Sequence, residues 1–194
     1  MKITYSIIAP IYNELENLPV LYRRIKDVLD STGEPWELIL VDDGSTDGST
    51  EIIRELAAKD AIVRPVIFAR NFGHQIAVTA GLDYSRGEAV VIIDADLQDP
   101  PETILELAKK WKEGYEVVYA VRAEREGESW FKLLTASIFY RLIYRITDVK
   151  IPLALADSAS QASSVLVAPP LNFGFSPYFL AYPGTLSLRV ATLN

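Results

Sequence analysis

The chain has 194 residues, 49% hydrophobic and 23% charged, with a formal net charge of −7 and no cysteine. That length can bury the core of one ordinary domain; the apolar content excludes a disordered chain, and 10 Gly with 11 Pro are too few for a collagen-like one. Disulfide frameworks and thiolate metal sites are excluded, the lone histidine, His74, rules out a multi-His zinc centre, and the acidic balance argues against a general nucleic-acid binder.

Met1-Lys2 leads into an apolar run too short for a signal-peptide core and without a small-residue cleavage site. Ile3 to Ala9 reads as a buried first strand that stops at Pro10. Asn13-Glu14 opens a predicted helix with Leu18, Leu21, Ile25, Val28 and Leu29 at helical spacing. Trp36 to Val41 is a second strand that runs into Asp42-Asp43-Gly44-Ser45. Asp47 is placed to cap the next helix, which turns Ile52, Ile53 and Leu56 inward. Val63 to Phe68 is a third strand, and Asn71-Phe72-Gly73 precedes a helix carrying Ile76, Ala77, Ala80 and Tyr84. Gly73 and Gly81 are expected to let that helix approach the sheet closely. Ala89 to Ile93 is an all-apolar fourth strand ending in Asp94-Ala95-Asp96. Pro100-Pro101-Glu102 starts another helix, since proline in a first turn forfeits no helical hydrogen bond, and Val117 to Ala120 is a fifth strand.

Strands alternating with helices predict an α/β fold: a mostly parallel central sheet with helices on both faces. Ligands bind such sheets at the carboxyl ends of the strands. The polar clusters fall at those ends, over Pro10–Glu14, Asp42–Ser45, Arg70–His74 and Asp94–Gln98. Distant in sequence, they converge on one edge in this fold.

Asp94, Asp96 and Gln98 occupy alternate positions just past a buried strand. In extended backbone they share one face, and their oxygens suit a hard cation, Mg²⁺ or Mn²⁺, that also takes phosphate ligands. The competing assignment is an acidic helix-capping turn in which Asp99 is the cap. Asp42-Asp43-Gly44 is either a turn closed by an Asx-type hydrogen bond or a carboxylate for a nucleobase or ribose. Both hold if Asp42 is structural and Asp43 faces ligand. Tyr12-Asn13-Glu14 is either a strand exit with a helix cap or an aromatic and a carboxylate set to stack on and hydrogen-bond a base. His74 is expected on the polar surface or in the cleft rather than as a catalyst. No G-x-G-x-x-G follows the first strand and no G-x-x-x-x-G-K-[ST] occurs, which disfavours an ordinary dinucleotide fold and a P-loop NTPase.

The charge pattern then changes. Residues 1–121 carry 12 Lys/Arg and 21 Asp/Glu, and residues 122–150 carry 6 and 4. From Leu153 to Asn194 only Asp157 and Arg189 are charged. Three divisions follow: a ligand-binding core over 1–121, a segment with an amphipathic helix over 122–152, and an atypical low-charge tail over 153–194. In the middle segment Phe131, Leu134, Ile138, Phe139, Leu142, Ile143 and Ile146 alternate with Lys132, Arg141 and Arg145. That pattern fits a core or homo-oligomer interface helix, or an interfacial helix lying on a membrane. No uninterrupted apolar stretch reaches the ~18 residues of a membrane span, and Val165 to Tyr182 reads as loop or short strands.

Ser6-Ile-Ile-Ala-Pro-Ile-Tyr-Asn-Glu14, Val41-Asp-Asp-Gly-Ser45, Arg70-Asn-Phe-Gly73 and Asp94-Ala-Asp-Leu-Gln-Asp-Pro-Pro101 resemble family 2 glycosyltransferases of the GT-A fold. Within them the chain is similar to the polyprenyl-phosphate sugar transferases, over about residues 3–152. The resemblance implies a metal, Mg²⁺ or Mn²⁺, on Asp94, Asp96 and Gln98, with Asp96, Arg122 and Asp157 in catalytic positions. It implies a nucleoside surrounded by Pro10, Tyr12, Glu14, Val41, Asp43, Asp94 and Ala95. Arg122, Arg125 and Lys132 are implied contacts to donor or acceptor phosphate. The implied donor is a UDP- or GDP-sugar and the implied acceptor a polyprenyl phosphate, met at the cytoplasmic membrane surface. A family 2 transferase with a soluble acceptor and a nucleotide-sugar-binding remnant without turnover are the alternatives. After Lys150-Ile-Pro152 the family continues with a Thr-Gly-Asp-Phe-Arg-Leu-like segment, whereas here only Asp157 stands near the place of that acid. The expectation is a truncated or altered C-terminal part, such as a frame shift would produce.

Overall fold

All seven residues of β1 (Tyr5–Ile11) are buried, and so are all seven of β2 (Trp36–Asp42). A strand buries every residue when both faces of its sheet are covered, as in parallel sheets. The computed structural model of the chain describes residues 2–121, 162–167 and 190–193. The remaining elements are α1 (Leu18–Asp30), α2 (Ser49–Lys59), β3 (Val63–Ile67), α3 (His74–Tyr84), β4 (Ala89–Ile93), α4 (Thr103–Lys112), β5 (Val117–Val121), β6 (Ala162–Val167) and β7 (Val190–Leu193). The strands form one sheet in the order β3-β2-β1-β4-β6-β5-β7. β6 runs antiparallel to β4 and β5, and the other pairings are parallel.

Alternation along β1 sorts the core into two layers. Tyr5, Ile7, Ala9 and Ile11 share one cluster with Leu18, Leu21, Ile25 and Leu29 of α1, Ile53 of α2 and Ile104 and Leu107 of α4. Ile8 points the other way, into a smaller cluster with Ile39, Val41, Val90 and Ala77 of α3. Each fully buried Leu or Ile contributes about 1.5–3 kcal/mol. The five apolar positions anticipated for α1 are the five it buries.

The two ends of the sheet are built differently. At the amino ends, Glu37 is buried and accepts hydrogen bonds from Ser6 Oγ (2.6 Å), the Arg86 amide (2.8 Å) and Arg64 Nη1 (2.8 Å). The Gly87 amide donates to Ser6 Oγ at 2.8 Å. At the carboxyl ends, β1 stays paired with β2 as far as Ile11 and Asp42, but its pairing with β4 ends at Ile8 and Ile92. Locked at one end, β1 and β4 part at the other.

Several boundaries move for physical reasons. The first strand runs through Pro10 to Ile11, and this proline, with no N–H to donate, sits where β1 has lost β4 as a neighbour. α1 starts at Leu18 rather than at Asn13-Glu14, because Asn13 turns left-handed (φ 58°) first. Gly48 holds the N-cap position of α2, and Asp47 caps from one residue earlier, its Oδ1 accepting from the Ser49 amide at 2.9 Å. α4 starts at Thr103, with Glu102 in the N-cap position, after a turn in which the Thr103 and Ile104 amides donate to the carbonyls of Pro100 and Pro101. Ile76 and Tyr84 point outward, about half exposed. Gly81 does allow close approach, since a Cβ there would lie 2.3 Å from Ile8 Cγ2; Gly73 does not, since nothing lies within 4 Å of its Cβ position. Gly73 is needed for its backbone, at φ 99° and ψ 151°, a region open essentially to glycine.

The low-charge stretch supplies β6 and β7. An uncharged strand suits the interior position between β4 and β5 that β6 takes. The amphipathic segment anticipated around residues 130–146 lies outside the described residues. Among the described residues no helix is long and apolar enough to cross a membrane.

Gly81→Ala forces a methyl into Ile8 and is expected to cost about 1–3 kcal/mol, read as a lower midpoint in urea denaturation. An unchanged midpoint would contradict the contact between α3 and β1.

Candidate active site

The crevice lies where β1 and β4 separate. In the order 3-2-1-4 this is the point at which the strand sequence reverses, the usual ligand position in doubly wound sheets. It is a cleft of about 450 Å³ lined from β1 by Pro10, Ile11, Tyr12 and Glu14, and from β4 by Asp94, Ala95 and Asp96. Asp43 after β2 and Asn71, Gly73, His74 and Ala77 at the start of α3 close its floor and side. Tyr12 and Asn71 also line a second cavity of about 720 Å³ over α2 and β3, which contains Arg54 and Arg70.

The loops at this edge are tied to one another by side-chain acceptors. Asp42 is fully buried; its Oδ1 accepts from the Ser45 amide at 2.9 Å and its Oδ2 from the Thr50 hydroxyl. Next to it, Asp43 accepts from the amides of Phe72 (2.7 Å) and Gly73 (2.9 Å), so it closes the start of α3 from another strand. Gly44 takes a positive φ of 74°, and a Cβ there would lie 2.4 Å from the Arg70 carbonyl carbon, so the two loops touch backbone to backbone. The loops after β1 and β2 are joined as well. The Asn13, Glu14 and Leu15 amides donate to Ser45 Oγ (2.9 Å), Ser49 Oγ (3.0 Å) and Asp47 Oδ2 (3.0 Å), and Asn13 Oδ1 accepts from the Thr46 amide at 2.8 Å.

Four carboxylates, Glu14, Asp43, Asp94 and Asp96, line the cleft with one histidine. His74 Nε2 lies 3.9 Å from Asp94 Oδ1. Glu14 Oε2 accepts from Asn17 Nδ2 at 2.6 Å, and Asp96 Oδ1 from the Gln98 amide at 2.9 Å. An acidic wall of this kind repels an anionic ligand unless a cation comes with it. Among the described residues no three His, Asp or Glu side chains gather into a metal-holding group. The donor set nevertheless fits Mg²⁺ or Mn²⁺ carried in with phosphate. Such ions are commonly held by one or two carboxylates plus substrate phosphates rather than by an all-protein cage, and Asp94 and Asp96 supply the two carboxylates.

Of the residues anticipated from sequence, Pro10, Tyr12, Glu14, Asp43, Asp94, Ala95 and Asp96 come together at the cleft. Asp42 closes the turn through the Ser45 amide, and its neighbour Asp43 lines the cleft. Val41 is buried in the α3-side core and is not among the lining residues. Gln98 is exposed and does not line the cleft, because the alternation of an extended strand ends at Ile93 and Leu97 turns left-handed (φ 58°). Arg122, Arg125, Lys132 and Asp157 lie outside the described residues. His74 is a cleft residue. Asn71, to which the sequence assigns no role of its own, lines the cleft from the Arg70–His74 cluster expected at this edge.

This sheet, its split and the Asp-Ala-Asp beside it define a GT-A type glycosyltransferase fold. The chain belongs to glycosyl transferase family 2, whose model matches residues 6–166. It is 57% identical over 155 residues to the uncharacterized glycosyltransferase YkcC of Bacillus subtilis (strain 168), covering 80% of this chain and 48% of that protein. It is 40% identical over 151 residues to the prophage bactoprenol glucosyl transferase homolog of Escherichia coli (strain K12), covering 78% and 49%. The chain thus spans about half the length of the curated relatives it matches. Among solved structures, mannosyl-3-phosphoglycerate synthase from Rubrobacter xylanophilus superposes with a TM-score of 0.63 at 22% identity, over 86% of this chain and 53% of that one. That likeness is one of fold.

The tie between the first two loops is expected to weaken in acid. Burial pushes the Asp47 carboxyl up, but the Ser49 hydroxyl and the Ser49 and Leu15 amides outweigh it, leaving it below its ordinary 3.8. A depressed carboxyl stabilises the fold fully above its unfolded value and loses that effect as pH falls through the folded one. Amide-exchange protection at Leu15 and Ser49 should be flat above about pH 5 and decline below the ordinary 3.8. Asp47→Asn should flatten the profile; an acid step that persists in that variant would contradict the assignment.

Proposed function

We propose that this chain carries the donor-binding half of a metal-dependent, inverting glycosyltransferase. It would move a hexose from a UDP- or GDP-sugar to a polyprenyl phosphate at the cytoplasmic face of a membrane. The observation that carries the proposal is the convergence of Tyr12, Glu14, Asp43, Asp94 and Asp96, from three strand ends, on one crevice in a family 2 chain. The acceptor class is supported by the bactoprenol glucosyl transferase name of a relative 40% identical over 151 residues.

In this proposal Tyr12, half-exposed at the rim, offers a ring face to the base. Asp43 keeps acceptor capacity, since each carboxylate oxygen has a second lone pair beyond the one engaged by Phe72 or Gly73. Asp94 and Asp96 would hold Mg²⁺ or Mn²⁺ on the diphosphate, where a divalent cation offsets charge developing on the leaving group. Arg122, Arg125 and Lys132 would place the acceptor phosphate and screen its repulsion from the donor. A phosphate monoester has its second pKa near ~6, so the acceptor is already largely anionic at neutral pH and needs no strong base. Its attack from the face opposite the departing diphosphate inverts the anomeric centre.

Titration calorimetry with UDP and GDP, with and without Mn²⁺, tests the donor side. One nucleotide should bind with metal, and Asp96→Ala should weaken that binding at least about tenfold, or ~1.4 kcal/mol. Failure of both nucleotides to bind with metal present would overturn the proposal. Transfer to a short polyprenyl phosphate tests the acceptor side. Transfer to a soluble acceptor alone would overturn that class, and binding without transfer would leave a nucleotide-sugar-binding role.

A further inference from the structure

Two described residues other than glycine take a positive φ, Asn13 and Leu97, both at 58°. Asn enters that region more readily than most side chains because its short amide finds hydrogen bonds nearby. At Asn13 those bonds cross to another loop. Its Oδ1 accepts from the Thr46 amide at 2.8 Å and its own amide donates to Ser45 Oγ at 2.9 Å. Asn13 is exposed and is not among the lining residues of either cavity. Both its neighbours are: Tyr12 is shared by the two cavities, and Glu14 lines the acidic one. An extended residue at 13 would carry the chain onward along β1. The left-handed turn instead brings the Glu14 amide back to Ser49 Oγ of α2, at 3.0 Å.

We infer that Asn13 is a positioning residue for the nucleoside. Its turn and its bond to Thr46 hold the Tyr12 ring between the two cavities and Glu14 on the cleft wall. The inference rests on the nucleotide-sugar proposal for the cleft and assigns a role to a residue that touches no ligand in it. Three substitutions separate the two parts of the device. Asn13→Gly keeps access to the turn and loses the bond, Asn13→Ala loses both, and Asn13→Asp keeps both.

The test is titration calorimetry of UDP and GDP with Mn²⁺ on the full 194-residue chain and the three variants, alongside thermal denaturation. Asn13→Ala should bind about tenfold more weakly, Asn13→Gly should fall between it and the parent, and Asn13→Asp should return to within about threefold. Asn13→Ala should also melt a few degrees lower, since alanine adopts a left-handed turn less readily than asparagine, while Asn13→Asp should melt with the parent, so affinities are compared well below every transition. Affinity of Asn13→Ala within twofold of the parent would overturn the inference, as would Asn13→Asp as weak as Asn13→Ala. If Asn13→Ala fails to fold, the Gly and Asp variants decide by the same order. A parent chain that binds neither nucleotide overturns the cleft proposal and this inference with it; a binding parent with indifferent variants overturns this inference alone.

Discussion

The parting of β1 from β4 after Ile8 and Ile92 is the constraint on which the rest of the molecule depends. A sheet that stayed paired to its last residue would present a closed edge, with Pro10–Tyr12 and Asp94–Asp96 side by side. The buried Glu37, bound to Ser6, Arg64 and the Arg86 amide, fixes the strands at their amino ends. Core layers on both faces hold them in the middle. Only the carboxyl ends are free to diverge, and the polar residues of the chain's four clusters stand there.

Divergence alone would leave floppy ends, and the adjacent acids Asp42 and Asp43 supply the order. Burying a carboxylate is costly unless it is hydrogen-bonded. Here the cost is met by donors from separate segments: Ser45 and Thr50 on Asp42, Phe72 and Gly73 on Asp43. Hydrogen bonds to a charged group contribute about 1.5–3 kcal/mol each, enough to fix loops that carry little apolar surface. Because Gly44 brings the backbones of two loops together, the polar ties and the steric fit specify the same arrangement. The cleft's shape is therefore set by bonds made within the protein itself.

The alternation of strands and helices was legible because it rests on periodicity, and the five buried positions of α1 were read residue by residue. The cleft was legible because α/β sheets place ligands at strand ends, so Tyr12, Glu14, Asp43, Asp94 and Asp96 could be grouped without coordinates. What escaped depends on local backbone. Leu97 carries no mark of a left-handed turn, and Asn13, a residue type that enters that region readily, reads equally well as a helix cap, so the start of α1 is expected too early and Gln98 is aligned with the acids. Hydrogen bonds between loops, such as Asp43 to Gly73, join residues 30 apart and leave no periodic trace. β6 is only half legible: Val165–Val167 open the stretch read as loop or short strands, but Ala162–Val167 shows no alternation, and its place between β4 and β5 is what makes it a strand.

The occupant proposed for the β1–β4 crevice is a nucleoside diphosphate together with a divalent cation. Paramagnetic broadening of amide resonances by Mn²⁺, added with UDP or GDP, locates that cation directly. The expected result is broadening centred on Asp94–Asp96 and reaching His74, Asp43 and Tyr12, while Ser6, Glu37 and Gly87 at the far end of the sheet stay sharp. Broadening scattered over surface carboxylates, or centred away from Asp94 and Asp96, would contradict it.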